Sequence, residues 1–347
     1  MEVKLHTART LVGRLRGAAA VRDASATAAA VAELRRASKD DPEVRAPLAD
    51  AGAVPYLASQ LTSPSTSASA EDAAAALLNI SISAREQLMS SPGILDALAA
   101  AMRAEEYAAA HHAAATVASL LCVDAYRPIV GAKRPLLAAL VALLRGHGRG
   151  TRATKDALKA LFGVALYPLN RATLVELGAV RALFALVMTD GRTGIVEDAT
   201  AVVAQVAGCA ESLGAFAGVS GVRILVDLVE AGGAATGRAR ENAAAALLNL
   251  VMAGGERAVE AVLAVGGAEE AVRELAEDGE SSPRGKAKAG SLLRALEDGA
   301  AVAKRRTEHR FADFLDGLVQ SDPYFSSPAS ATTHDDDDDG GSRLTFR

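Results

Sequence analysis

The residues in this chain that could carry out chemistry are few, and their spacing works against each candidate. Gly279 to Ala287 reads GESSPRGKA, close to a phosphate-binding loop, in which backbone N–H groups cradle a phosphate, a lysine neutralises it and the next hydroxyl holds magnesium. Here the two glycines are one residue too far apart, and Ala287 stands where the hydroxyl is needed. The segment therefore reads as a loop leading into a helix. GVSG at 218–221 sets a serine beside glycines, but it lacks the glycine spacing and the preceding strand of a nucleophile elbow. His111 and His112 are adjacent, so on a helix they point about 100° apart, whereas a helical metal-binding pair is spaced i, i+4. Cys122 and Cys209 match no metal or redox spacing and are expected as buried free thiols. No metal, cofactor or catalytic residue is expected, and the chain reads as a non-enzyme.

The recurring elements are more informative. The blocks VAELRRA, ALLNISI, VASLLCV, ALFGVAL, VAQVAGC, ALLNLVM and LLRALED align on one column, Arg35, Asn79, Ser119, Gly163, Gln205, Asn249 and Arg294, with spacings of 44, 40, 44, 42, 44 and 45 residues. A second ladder runs out of phase with it, in which a glycine-containing turn precedes an apolar helix start near Val54, Ile94, Val180 and Val222. The unit that opens at Lys133 with KRPLLAAL departs from that turn pattern. Periods of about 40 to 47 residues with purely helical patterning are those of armadillo and HEAT arrays; a propeller would need four strands per unit. In GAVRALFALVMTD the apolar residues at 180, 183, 184, 187 and 188 keep helical spacing, and EDATAVVAQVAGCAESLG repeats the pattern after a short turn. NRATLVELGAV adds a shorter bridge, which makes three helices per unit, the armadillo form.

The fold expected is all-α: an armadillo-type right-handed α-solenoid of stacked three-helix repeats with helical caps. One unit cannot bury its apolar face alone, so the core exists only where neighbours stack, and the ends need lids. Residues 1–20 supply an N-terminal capping helix with a Leu5, Ala8, Val12, Leu15 stripe, 21–299 the array of about six to seven units, and 300–320 a C-terminal helix with a Phe311, Phe314, Leu315, Leu318 stripe. Residues 321–347, rich in Ser, Thr, Pro, Gly and Asp, read as a disordered acidic tail. Hydrophobic residues make up 50% of the chain but aromatics only 3%, so small alanine side chains must form much of the packing. A net charge of −5 with no basic stretch inside the array argues against nucleic acid. No uncharged apolar run reaches 18 residues, the most obvious candidate, NAAAALLNLVMAGG, stopping at 14, and the charged start LHTARTLVGRLR is no signal sequence. Membrane insertion is not expected; a monomer in cytoplasm or nucleus is. Lys304, Arg305 and Arg306 read as a solvated helix face rather than an import signal, and Ser63-Pro64 and Ser327-Pro328 as exposed sites suited to phosphorylation.

Without visible chemistry, the functional surface is the one that a solenoid makes for itself. Stacked third helices line a concave groove, and the aligned column lies along it. Amides at Asn79, Gln205 and Asn249, with Ser119 and Arg294, are placed to meet the backbone of an extended partner segment; the competing reading is that the asparagines tie down their own turns. Eight residues earlier a second row, Glu71, His111, Lys155, Glu197, Glu241 and Lys286, shares that helix face. It suggests a mixed-charge groove for a partly basic ligand, although glutamates also favour helix starts because of the helix dipole.

ALLNIS at 76–81, ALLNLV at 246–251 and SSPRGKAKAGSLLRAL at 281–296 resemble plant armadillo repeat proteins, especially the armadillo portion of the plant U-box group. The resemblance implies a partner-selecting array over residues 20 to 298. U-box members are ubiquitin ligases whose small U-box module recruits the conjugating enzyme. This array is already running within the first 25 residues and no U-box-like Cys-Pro-Ile segment is found, so ligase activity is not carried over, and a part in ubiquitin transfer, with ubiquitin-pathway partners, is the alternative function. The nuclear import adaptors instead show a ladder of Trp and Asn four residues apart. This chain has no Trp, and Ala75 and Ala245 stand at those positions, so that cation-binding ladder is not expected.

Overall fold

The structure is a computed structural model that describes residues 2–63, 67–104, 108–145, 150–230 and 235–320, with the backbone alone at 67, 303, 307 and 312–320. The described residues contain helices and no strand. Helices α1 (Glu2–Ala20) and α2 (Ala24–Asp40) open the chain, and triplets of a short first helix and two longer ones follow. These are α3 (Arg45–Asp50), α4 (Ala53–Thr62) and α5 (Ser67–Ser83), then α6 (Arg85–Met89), α7 (Ile94–Arg103) and α8 (Ala110–Leu120). The next are α9 (Arg127–Gly131), α10 (Arg134–Arg145) and α11 (Thr151–Ala165), then α12 (Arg171–Glu176), α13 (Ala179–Thr189) and α14 (Thr193–Val206). Next come α15 (Ser212–Ala217), α16 (Gly221–Val229) and α17 (Gly237–Leu263). In α17 a third helix and the following first helix meet at Gly255, where φ is 58° and ψ −143°. The array closes with α18 (Ala268–Glu277) and α19 (Pro283–Gln320).

The repeat period dictates the packing. Counted from the aligned column, the positions two residues before (Leu77, Val117, Leu161, Val203, Leu247) and one after (Ile80, Leu120, Val164, Val206, Leu250) are buried in unit after unit. Six residues before the column stand Ala73, Ala113, Ala157, Ala199 and Ala243, all fully buried. A methyl group at that position lets each third helix lie close on the next, since interaxial distance is set by the side chains at the contact. The third helices α2, α5, α8, α11, α14 and α17 pack in succession on one another, and each second helix packs on the third helix of its own unit. At the start, Ala8, Leu11, Val12 and Leu15 of α1 are buried, and α1 packs on α2, α3 and α4.

Residues 1–300 form one compact unit, and residues 301 onward a second, whose described part is the remainder of α19. One expectation is corrected and another lies mostly outside the described residues. Of the C-terminal stripe only Phe311 has a described side chain, 61% exposed; the side chains of Phe314, Leu315 and Leu318, and the tail with Ser327-Pro328, lie outside the described residues, as does Pro64. Cys122 is exposed rather than buried, since it lies just beyond the end of α8 on the face shared by the third helices. No single helix among the described residues is long and apolar enough to cross a membrane.

The glycine ladder of the turns has a backbone cause. Gly52, Gly93, Gly178 and Gly267 each sit at φ between 76° and 86° just before a second helix, a left-handed conformation open mainly to glycine. Before α10 no residue has positive φ, and KRPLL turns into the helix through Pro135 instead. Before α16 the same left-handed place is held by Ser220 at φ 53°, which costs a non-glycine residue about 1 kcal/mol. Ser220→Gly should therefore raise stability by about 1 kcal/mol, read as a higher urea midpoint. Gly178→Ala should lower it, because the added Cβ would lie 2.5 Å from Arg145 Nη2 in addition to the strain.

Candidate protein-binding groove

The third helices carry the aligned column in register, and most column residues are engaged inside the chain before any partner arrives. Asn249 Nδ2 donates to the carbonyl of Ala204 at 2.7 Å, and Asn79 Nδ2 donates to Ser38 Oγ at 3.1 Å. Both bonds reach back one unit, so the amides tie unit to unit and not their own turns; neither Oδ1 accepts a bond from a described residue. Ser119 donates to the carbonyl of Ser81 at 3.3 Å, and Gln205 accepts from Arg171 at 3.4 Å. Gly163 is buried, and a Cβ on it would lie 2.9 Å from that of Leu121, so close packing keeps this place empty. Arg294 is exposed and meets Ser291 of its own helix, at 3.3 Å.

The acidic row is likewise engaged within the chain. Glu197 accepts from Thr236 at 2.7 Å and lies 3.9 Å from Arg238. Glu241 accepts from Ser282 at 2.9 Å and lies 3.2 Å from Arg284. Thr236 and Ser282 also accept from the backbone N–H groups of Ala239 and Gly285, which makes each the cap of the following third helix and gives GESSPRGKA a structural role. Glu71 lies 3.6 Å from Arg35, which also pairs with Asp72. Lys155 reaches over Gly194 of the next unit, its Nζ 3.2 Å from where a Cβ would stand. The carboxylates read from sequence as a lure for a basic ligand are thus already partnered.

Two features of this face escaped the sequence. Three residues after the column, Ile82 and Met252 are 48% and 72% exposed, and Cys122 and Leu166 occupy the same register. An arginine also opens successive first helices at 45, 85, 127 and 171, spaced 40, 42 and 44 residues apart. Arg45, Arg127 and Arg171 donate through Nε to the carbonyls of Ser38, Leu121 and Ala165 at the end of the preceding third helix, and Arg85 donates to that of Ser119 in the next unit. A helix end leaves carbonyls without partners and favours a cation there. The recurrence was present in the sequence, but among 37 Lys and Arg residues four arginines at one period do not stand out.

Between α8 and α11 the face opens into a depression of about 490 Å³, lined among others by Ser119, Gly163, Phe162, Cys122, Arg85 and Arg127. Beside it the adjacent histidines fold together, ring centroids 3.8 Å apart, in contrast with the divergence expected of neighbours on a helix. No group of three or more His, Cys, Asp or Glu able to hold a metal occurs among the described residues. Burial holds the His112 ring at a pKa of about 4, with His111, Arg35 and Arg152 disfavouring its cation further, and its Nδ1 is buried without a hydrogen-bond partner among the described residues. Above pH 6.5, its ordinary value, His112 is neutral in both folded and unfolded chains. As pH falls from there to about 4 the unfolded chain takes up the proton first, so stability is lost across that window. His112→Gln should flatten that loss, measured as the difference in urea midpoint between the two proteins from pH 7 to pH 4.

Comparisons with known proteins agree with this architecture. A family model described as the plant U-box protein ARM repeat region matches residues 11–301. U-box domain-containing protein 16 of Arabidopsis thaliana is 32% identical over 274 residues, covering 78% of this chain and 39% of that protein. U-box domain-containing protein 17 of the same plant is 32% identical over 298 residues, covering 84% of this chain and 39% of its own length; the chain thus spans well under half of either relative. Among solved structures, an engineered protein superposes with a TM-score of 0.71 at 24% identity, covering 84% of this chain and 68% of its own. Computationally designed armadillo repeat proteins for modular peptide recognition superpose with a TM-score of 0.60 at 21% identity, covering 70% of this chain and 99% of their own. The stacked three-helix units and the match across nearly the whole array make this chain a member of the plant U-box protein ARM repeat region family.

Proposed function

We propose that the chain is a non-catalytic scaffold that holds an extended segment of a partner protein along the concave groove of its third helices. The observation that carries this is the unbroken succession of third helices that present the same register, with the Asn79 and Asn249 amides fixed by one atom to the preceding unit and open at the other. An extended segment has backbone N–H groups at regular intervals to meet such acceptors, and Ser119, Gln205 and Arg294 continue the row. That designed armadillo proteins serve modular peptide recognition supports the same use of this fold.

Replacing the asparagines would disturb the array itself, so the test uses groove residues that hold nothing together. Ile82→Glu with Met252→Glu changes two side chains that are 48% and 72% exposed. Segments selected from a displayed peptide library on the wild-type protein should bind the double variant at least about tenfold more weakly, with an unchanged melting temperature. Equal affinity for a folded double variant would remove the groove from the account.

A second reading follows from the relatives, which are U-box proteins: the array serves ubiquitin transfer by choosing what a ligase modifies. The purified chain mixed with activating and conjugating enzymes should then form no ubiquitin chains alone, yet should direct them to its bound partner when a U-box protein is added. Chains formed by this protein alone would overturn the non-catalytic assignment.

A further inference from the structure

Within the groove reading, on which this inference rests, one place differs from the rest. Elsewhere the column carries long side chains, Arg35, Asn79, Gln205 and Asn249. Between α8 and α11 it carries only Ser119 and Gly163, and the depression of about 490 Å³ opens there. Packing against Leu121 keeps Gly163 bare, so the gap is built into the fold. Its walls are apolar, with Ala118, Leu121, Phe162 and Leu166 among them, and its charged groups are Arg85, Arg127, Lys159 and Asp156. Asp156, the one carboxylate among the lining residues, is 15% exposed at its side chain and lies 3.6 Å from Lys159. Arg85 uses Nε for the Ser119 carbonyl, and its two terminal nitrogens bond no described residue. Arg127 pairs with Asp124 at 2.8 Å, so the site couples an apolar recess to a rim on which Arg85 is the lining cation left without a carboxylate among the described residues.

We propose that this depression is the anchoring subsite of the groove, which takes an apolar side chain of an extended partner segment whose flanking Asp or Glu pairs with Arg85, beside the Lys159–Asp156 and Arg127–Asp124 ion pairs. A guanidinium that keeps both terminal nitrogens free can meet a carboxylate through two parallel bonds, the geometry that favours arginine in such sites. A basic segment finds no unpaired carboxylate there, because Asp156 and Asp124 already face Lys159 and Arg127.

The exposed Cys122 lies in the lining and reports occupancy directly. In the full chain with Cys209→Ser, labelling of Cys122 by a maleimide is followed in the presence of ten-residue peptides with a central Leu or Phe flanked by Asp and Glu, by Lys and Arg, or by Ser. The acidic peptides should bind and slow labelling, and Lys159→Glu should weaken them by about tenfold. Equal binding of the basic or neutral peptides, or bound acidic peptides that leave Cys122 as reactive as before, would overturn the proposal. Failure of the acidic peptides beside display-selected segments that still depend on Ile82 and Met252 would sink this subsite and leave the groove reading standing; failure of both would sink both. In a full-length variant with Asp335–Asp339 changed to serine, faster labelling of Cys122 would assign the subsite to the chain's own acidic run and overturn a partner's claim to it.

Discussion

A third helix in this protein buries its apolar side against the second helix of its own unit and the third helices before and after it, and the fully buried alanines at 73, 113, 157, 199 and 243 let the third helices come close enough to do so. That approach governs the rest. It places the column residues at a fixed offset from one unit to the next, and it forbids a side chain at Gly163, where α11 meets the end of α8. It also brings the polar groups of one unit within hydrogen-bond reach of the next. Asn79, Ser119 and Asn249 each donate across that joint, and Glu197 and Glu241 accept across it. The groove is thus a by-product of packing in its path and a matter of individual side chains only along its edges.

That division changes the electrostatic character of the face. Counted from sequence, the row eight residues before the column supplies acid, yet in three dimensions those carboxylates meet caps and arginines of the adjoining unit. What remains available are the apolar side chains three residues past the column and the terminal nitrogens of Arg85, whose Nε holds the Ser119 carbonyl. An exposed ion pair contributes little to stability, so these pairings matter more for the charge they remove from the groove than for the energy they add.

The architecture was legible in the sequence because a single unit cannot be stable alone, so the same spacing of apolar residues had to recur in each. The Gly turns were legible too, since φ near 80° leaves glycine little competition, although Ser220 shows that one unit tolerates the strain. The groove was legible as a column and not as chemistry. Whether Glu197 faces a ligand or Thr236 depends on a residue 39 positions away, and one-dimensional spacing does not report it. Cys122 was misjudged because composition favours burial for a free thiol, while its register places it on the open face. His111 and His112 were read from ideal helical directions, and side-chain torsions brought their rings together.

The cross-unit bonds of the array span between 32 and 45 residues of sequence, about one period, and the packing pairs of the third helices do the same. A structure some 300 residues long is therefore held by contacts that are local on the scale of its length, the condition under which loop closure costs least and folding is fast. Each unit finds everything it must dock against as soon as its predecessor is in place. During synthesis the chain can add order one repeat at a time behind the ribosome, with the growing end always the least stable part and no need to wait for its last residue.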